Sequence, residues 1–163
     1  MRLLVTAAVL AVLPLAALAA PPFTSLDKTG PDSAPRHLSG AELADTLKKA
    51  KKPGDFYAQA LLAKGAAYQV INTIRDKDGQ AEVHADWSDH IIVQEGEARF
   101  VTGGTAVGAT VTMPGEQRGN SIKGGNIATM KPGDYFFVPA GTPHQMLVPA
   151  GGHIRFVAFK THK

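Results

Sequence analysis

The sequence predicts an all-β fold, an antiparallel sandwich or barrel, preceded by one short α-helix. Beyond residue 54 helical periodicity disappears, and about ten short runs rich in β-branched and aromatic residues alternate with Gly, Asn, Asp and Pro turns. That density of short strands, joined by turns too brief for crossover helices, implies antiparallel pairing and a closed or two-layered sheet. Size agrees: 163 residues with 44% hydrophobic content make one domain, large enough to bury a core without disulfides or metal staples.

The first element is a leader. "MRLLVTAAVLAVLPLAALAAPP" places Arg2 before an apolar run that ends in Ala17-Leu18-Ala19, the pattern of a secretory signal over residues 1–19, with cleavage before Ala20. The run is short, is broken by Pro14 and lacks a basic stop, which argues against a membrane anchor. With no cysteine to acylate, the chain is not a lipoprotein. The expected location is therefore secreted or periplasmic, with no membrane contact in the mature form. Residues 20–38, rich in Pro, Ser and Gly, read as a flexible lead-in.

The domain proper spans residues 39–163. Ser39 followed by Glu42 forms a capping box, Leu43 and Leu47 share a face, and Pro53-Gly54 closes the pattern, so a helix is expected over about 40–51. The strand candidates follow as "FYAQALLA", "AYQVINTIR", "AEVHA", "HIIVQ", "ARFVT", "ATVTM", "NIATM", "YFFVPA", "HQMLVP" and "HIRFVAFK". Lys and Arg total 17 against 14 acids, and part of the excess is the single run "KKAKK". No basic stripe is interleaved with aromatics, which excludes nucleic acid as the expected partner.

Of six histidines, His37 falls in the lead-in and His162 at the C-terminus, where fraying is expected. His84, His90, His144 and His153 remain. Alternation along strands puts Glu82 and His84 on one face, and Asp89, Ile91 and Val93 on the face opposite to His90, Ile92 and Gln94. Asp89 is expected inward, from a strand antiparallel to that of Glu82 and His84. In "GDYFFVPAGTPHQ", Pro139, Gly141 and Pro143 constrain the backbone that presents His144, with Met146 and Val148 continuing its row.

"GDYFFVPAGTPH" fits G-x5-P-x-G-x2-H in full, and "HADWSDHIIVQEG" supplies the second half of G-x5-H-x-H-x3,4-E-x6-G. Over roughly residues 56–160 the chain resembles the cupin superfamily, as a small exported single-domain cupin of the cupin 2 type. The resemblance implies an antiparallel jelly-roll barrel. It places His84 at the family's second histidine, Asp89 at its glutamate, Glu82 at its first histidine, and His144 at the histidine of the second motif. Asp76 and Val148 stand where the family has Gly and Asn.

Glu82, His84, Asp89 and His144 would then hold one divalent metal ion, and a mixed nitrogen and oxygen set suits Fe, Mn, Ni or Zn. Two alternatives stand beside this: a barrel without metal, and a one-residue slip that recruits His90. The Gly-rich stretch between the motifs reads either as a solvated loop or as a flap that offers Arg118 to an anionic substrate group. Trp87 reads as packing or edge burial. The function expected is a metal-dependent small-molecule oxygenase or isomerase; a non-catalytic module that binds a small ligand or metal is the alternative. The expected partners are a small-molecule ligand or substrate, with a homodimer left open.

Overall fold

The computed structural model describes residues 37–163, so the leader and nearly all of the lead-in lie outside the described residues. Helix α1 (Gly40–Ala50) starts on Ser39, whose side chain accepts from the Glu42 backbone while the Glu42 carboxylate accepts from the Ser39 backbone. Both halves of the capping box are thus made, and free N–H groups of the first turn are satisfied. Lys48 and Lys49 in the last turn suit the negative end of the helix. No described helix is long and apolar enough to cross a membrane.

Thirteen strands follow among the described residues: β1 (Tyr57–Lys64), β2 (Tyr68–Arg75), β3 (Ala81–His84), β4 (Trp87–Gly96), β5 (Ala98–Thr102), β6 (Thr105–Val107), β7 (Thr110–Met113), β8 (Glu116–Gly119), β9 (Ser121–Lys123), β10 (Asn126–Met130), β11 (Tyr135–Val138), β12 (His144–Leu147) and β13 (Ile154–His162). They form a five-stranded sheet, β1-β2-β13-β4-β11, a six-stranded sheet, β10-β5-β12-β3-β8-β7, and a small β6-β9 ribbon. Every pairing is antiparallel. The two larger sheets enclose a core of Ile91, Val93, Phe100, Met130, Val138, Met146 and Ile154 with their buried neighbours. Each such side chain removed from water contributes roughly 1.5–3 kcal/mol.

Three expectations are corrected. The Gly-rich stretch is neither a loop nor a free flap, since it supplies β6, β8 and β9, with β8 hydrogen-bonded along β3. Strands β3 and β4 do not pair: the chain leaves the six-stranded sheet after His84 and joins the five-stranded one at Trp87. Asp89 therefore meets the histidines across the sandwich, not along one sheet. His162 does not fray, because β13 runs to it and its ring meets Trp87 edge-on with centroids 4.9 Å apart. Gln69 and Ile71 line the interior, whereas Asn72 points out to α1, donating to the Leu43 carbonyl at 2.7 Å and to Thr46 at 3.1 Å.

Candidate metal centre

The site is assembled by strand register. In the six-stranded sheet, Glu82 of β3 lies opposite His144 of β12 on one side and Arg118 of β8 on the other. Two residues further along β3, and so on the same face, His84 lies opposite Glu116. Directly opposed residues in an antiparallel pair project to the same face, so these five side chains gather inside the sandwich. From the facing sheet, β4 contributes Asp89, whose opposite residue on β13 is Lys160.

The donor atoms converge. One atom each from Glu82, His84 and His144 lies within 4.8 Å of the others. His84 Nε2 is 3.6 Å from Glu82 Oε2 and 3.4 Å from Asp89 Oδ2. His144 Nε2 is 3.8 Å and 3.5 Å from the same two oxygens. Asp89 stands outside the three-residue group, and its second oxygen forms an ion pair with the Lys160 ammonium at 2.8 Å.

Both imidazoles are oriented from behind. The turn before β12 places Gly141 in the left-handed region at φ 81°, where a side chain would be strained. Its N–H donates to the His84 carbonyl at 2.7 Å and so ties the turn to β3. His144 Nδ1 bonds the Thr142 carbonyl at 3.1 Å, and His84 Nδ1 bonds Glu116 Oε2 at 2.6 Å. With Nδ1–H donated in each case, both Nε2 lone pairs face the interior. His84 Nε2 is buried and has no hydrogen-bond partner. An unpartnered lone pair beside a second imidazole and a carboxylate is the arrangement a cation would complete, so the residues present fit a divalent ion.

Electrostatics keep the donors in ligand form. Burial lowers the proton affinity of His144, against the pull of Asp89 and Glu82, so the imidazole is neutral. Burial pushes the Asp89 carboxyl up, but His84, the Lys160 ammonium and His144 outweigh it and hold the group well below the usual carboxylate range. Glu116 behaves likewise: burial raises it, while His84 and Arg118 bring it below its ordinary value.

A cavity of about 500 Å³ opens onto these groups, walled among others by Tyr57, Gln69, Trp87 and Phe156. Arg118 is on its wall, but its fork already meets Glu116 at 2.9 Å and Glu82 at 3.7 Å. Met113, Pro114 and Gly115, between β7 and β8, also line the cavity. His90 is outside, sharing a 2.7 Å hydrogen bond with the Tyr135 hydroxyl, so the strand has not slipped to recruit it. Sequence reasoning missed Lys160 and the role of Glu116. The signal for Lys160 was present, because it continues the inward row Ile154, Phe156, Ala158 at a position where an apolar residue is expected.

Among solved structures, a conserved protein with a double-stranded β-helix domain from Klebsiella pneumoniae superposes with TM-score 0.55 at 15% identity, over 78% of this chain and 90% of that one. The chain has the cupin fold. A cupin-2 domain from Rhodospirillum rubrum (TM-score 0.49, 12% identity, 69% of this chain and 66% of that one) and KdgF from a Halomonas species (0.49, 11%, 69% and 84%) are similar at a lower level. No family model and no curated protein matches the sequence. In this cupin barrel, Glu82 occupies the β3 position that the sequence motif assigns to a histidine, and its carboxylate points at the same centre.

Proposed function

We propose that this chain is an exported, metal-dependent enzyme acting on a small molecule, an oxygenase or isomerase, with one divalent ion held by Glu82, His84 and His144 and with Asp89 as the fourth ligand. The observation that carries this reading is the convergence of two inward-facing Nε2 atoms and a carboxylate beside a cavity of about 500 Å³. A purely structural ion would be closed off by its ligands, whereas a donor set that opens on a cavity leaves room for substrate. When bound, the ion supplies Lewis-acid or redox chemistry. Oxygen and nitrogen donors with no thiolate suit Fe, Mn, Ni or Zn.

The chain's own residues have separable tasks. Glu116 fixes the tautomer and direction of His84, and Thr142 does the same for His144. Lys160 holds Asp89 from the opposite sheet. Ile91, Phe100 and Phe156 give the cavity an apolar wall that limits water around the charges, while Gln69 and Tyr57 offer polar contacts to a bound molecule. An anionic substrate group would reach Arg118 by sharing its fork with Glu116 and Glu82.

Elemental analysis of untagged protein, followed by activity screening with the metal found, tests the reading. About one ion per chain is expected. Glu82→Ala should lower metal affinity at least tenfold, and Glu82→His should retain binding with a changed metal preference. Protein that binds no divalent ion, or a Glu82→Ala variant with unchanged affinity, removes this centre as drawn. One bound ion with no exchangeable water ligand favours the non-catalytic binding module instead.

A further inference from the structure

The cavity beside the metal centre has a second polar corner, on the part of its wall where β1 and β2 pair. The inward row of β2 that contains Gln69 and Ile71 continues to Arg75, which lies opposite Tyr57 of β1, and both of these side chains line the cavity. The Arg75 guanidinium stacks over the Tyr57 ring, 4.5 Å from its centroid. It also rests against Gly79, where an added Cβ would come within 3.1 Å of Cζ and Nη1. Gly79 is not in the left-handed region, so its backbone would accept a side chain, and the guanidinium is what crowds one. A half-buried guanidinium held by a ring and a backbone is fixed in place, with its donors pre-organised. Among the described residues three Lys and Arg side chains line this cavity, and two of them are neutralised within it, Lys160 by Asp89 and Arg118 by Glu116 and Glu82. Arg75 has no carboxylate partner among the described residues. The acids nearest to it in sequence are engaged elsewhere, Asp76 by Lys51 and Asp78 by the Val148 N–H at 2.8 Å. The Tyr57 hydroxyl likewise has no hydrogen-bond partner among the described residues. Burial, helped by Glu82, pushes this phenol up to about 12, so it stays a donor at neutral pH. Donors without an acceptor, side by side on a cavity wall, are what an anion would complete.

We propose that Arg75 and Tyr57 form the subsite for the carboxylate of a small-molecule substrate, the guanidinium donating to both oxygens and the phenol to one. The rest of the molecule then lies along the same cavity toward Glu82, His84 and His144, a placement that rests on the metal-centre reading, whereas the carboxylate subsite itself does not. A carboxylate fits better than a phosphate. One unpaired cation balances one negative charge, and a planar fork matches a planar carboxylate. A phosphate monoester carries about −1.5 to −2 at neutral pH and would call for a second free cation, while Arg118 and Lys160 are both paired. The pairing of Arg118 leaves the recognition of an anionic group to Arg75. A cavity of about 500 Å³ is of the size that holds small molecules, and beyond the carboxylate it offers the body of the substrate the apolar wall of Ile91, Phe100 and Phe156.

The test is a saturation-transfer NMR titration of the full chain with benzoate, benzamide and phenyl phosphate, run in the presence of Zn(II) and again in EDTA. Benzamide keeps the shape of benzoate without its charge, and phenyl phosphate exchanges one anion for another. Benzoate should bind in both conditions with a Kd of about 10 mM or tighter, and benzamide at least tenfold more weakly. Arg75→Gln should lower benzoate affinity at least tenfold in both conditions, with far-UV circular dichroism preserved. Arg75→Lys, a point charge without the fork, should lie between. Tyr57→Phe keeps the ring beneath the guanidinium and should cost about three- to tenfold; with Arg75→Lys it carries the test if Arg75→Gln does not fold. Absence of benzoate binding, equal binding of benzoate and benzamide, or an affinity untouched by Arg75→Gln overturns the proposal. Phenyl phosphate held more tightly than benzoate through Arg75 also overturns it, by assigning the subsite to phosphate. Benzoate that binds only with Zn(II) and ignores Arg75→Gln sits on the ion, which removes the subsite and leaves the metal centre standing. Binding that depends on Arg75 in protein that takes up no ion does the reverse, upholding the subsite and removing the metal centre.

Discussion

Replacing Lys160 by Met removes the ammonium that faces Asp89 while preserving much of the side chain's length and apolar stem. The two groups are 2.8 Å apart, with side chains 15% and 7% exposed. At an effective dielectric of about 20 their attraction is roughly 6 kcal/mol. Most of this is offset by the cost of removing both charges from water, so the net worth of the pair is small. The variant reads a different quantity, the cost of leaving a buried carboxylate without its cation, which is about 3–5 kcal/mol. In EDTA the Lys160→Met protein should therefore melt roughly 10 °C or more below the wild type. The wild type should stay folded in EDTA, because Lys160 supplies positive charge without any metal and the core cluster of the sandwich is apolar. Adding Zn(II) or Mn(II) should recover more stability in the variant than in the wild type, since the ion then faces the stranded carboxylate. Lys160→Arg, which keeps the charge, should lie between the two. Thermal melts followed by far-UV circular dichroism, with and without EDTA, measure all of this. Equal melting of variant and wild type in EDTA would refute the reasoning, because it would mean that Asp89 finds its compensation elsewhere.

His84→Ala and His144→Ala should each lower affinity for a divalent ion at least tenfold by calorimetry, while His90→Ala, on the outer face, should leave it unchanged. Glu116→Gln keeps the shape but removes the charge that His84 Nδ1 meets at 2.6 Å; a loss of roughly tenfold or more in metal affinity is expected, and an unchanged value would show that Glu116 does not orient the imidazole. Burial, helped by Glu82, pushes the Tyr57 phenol up to about 12. In an ultraviolet titration one tyrosine should ionise last, and Tyr57→Phe should delete that step. The raised value contributes stability that is fully present below about pH 10, where the unfolded phenol begins to ionise, and is lost as pH rises toward 12.

Local chemistry made much of this structure legible. Ser39 and Glu42 marked the start of the helix because capping acts over three residues. Glu82 with His84, and Asp89 with Ile91, were placed on their faces by the two-residue period of a strand. The Pro and Gly spacing around Gly141 fixed where His144 would emerge. What could not be read depends on which strands become neighbours. Lys160 finds Asp89 only because β13 pairs with β4 across more than fifty intervening residues, and no local period encodes that pairing. Strands β6, β8 and β9 were missed because three- and four-residue pairings among glycines carry too little β-branched content to stand out. The sheet change after His84 leaves no local mark, because a two-residue connection is also what a hairpin uses.

The turn at Gly141 has a mechanical consequence. Its N–H to the His84 carbonyl makes the two imidazoles one rigid unit anchored in the six-stranded sheet, while Asp89 and Lys160 ride on the other sheet. The centre is thus a clasp between two plates. A slide of one plate past the other separates Asp89 from the imidazoles before it breaks any backbone bond within either sheet. An ion gripped from both sides would resist that slide, so its residence time and the breathing of the sandwich are governed by the same coordinate.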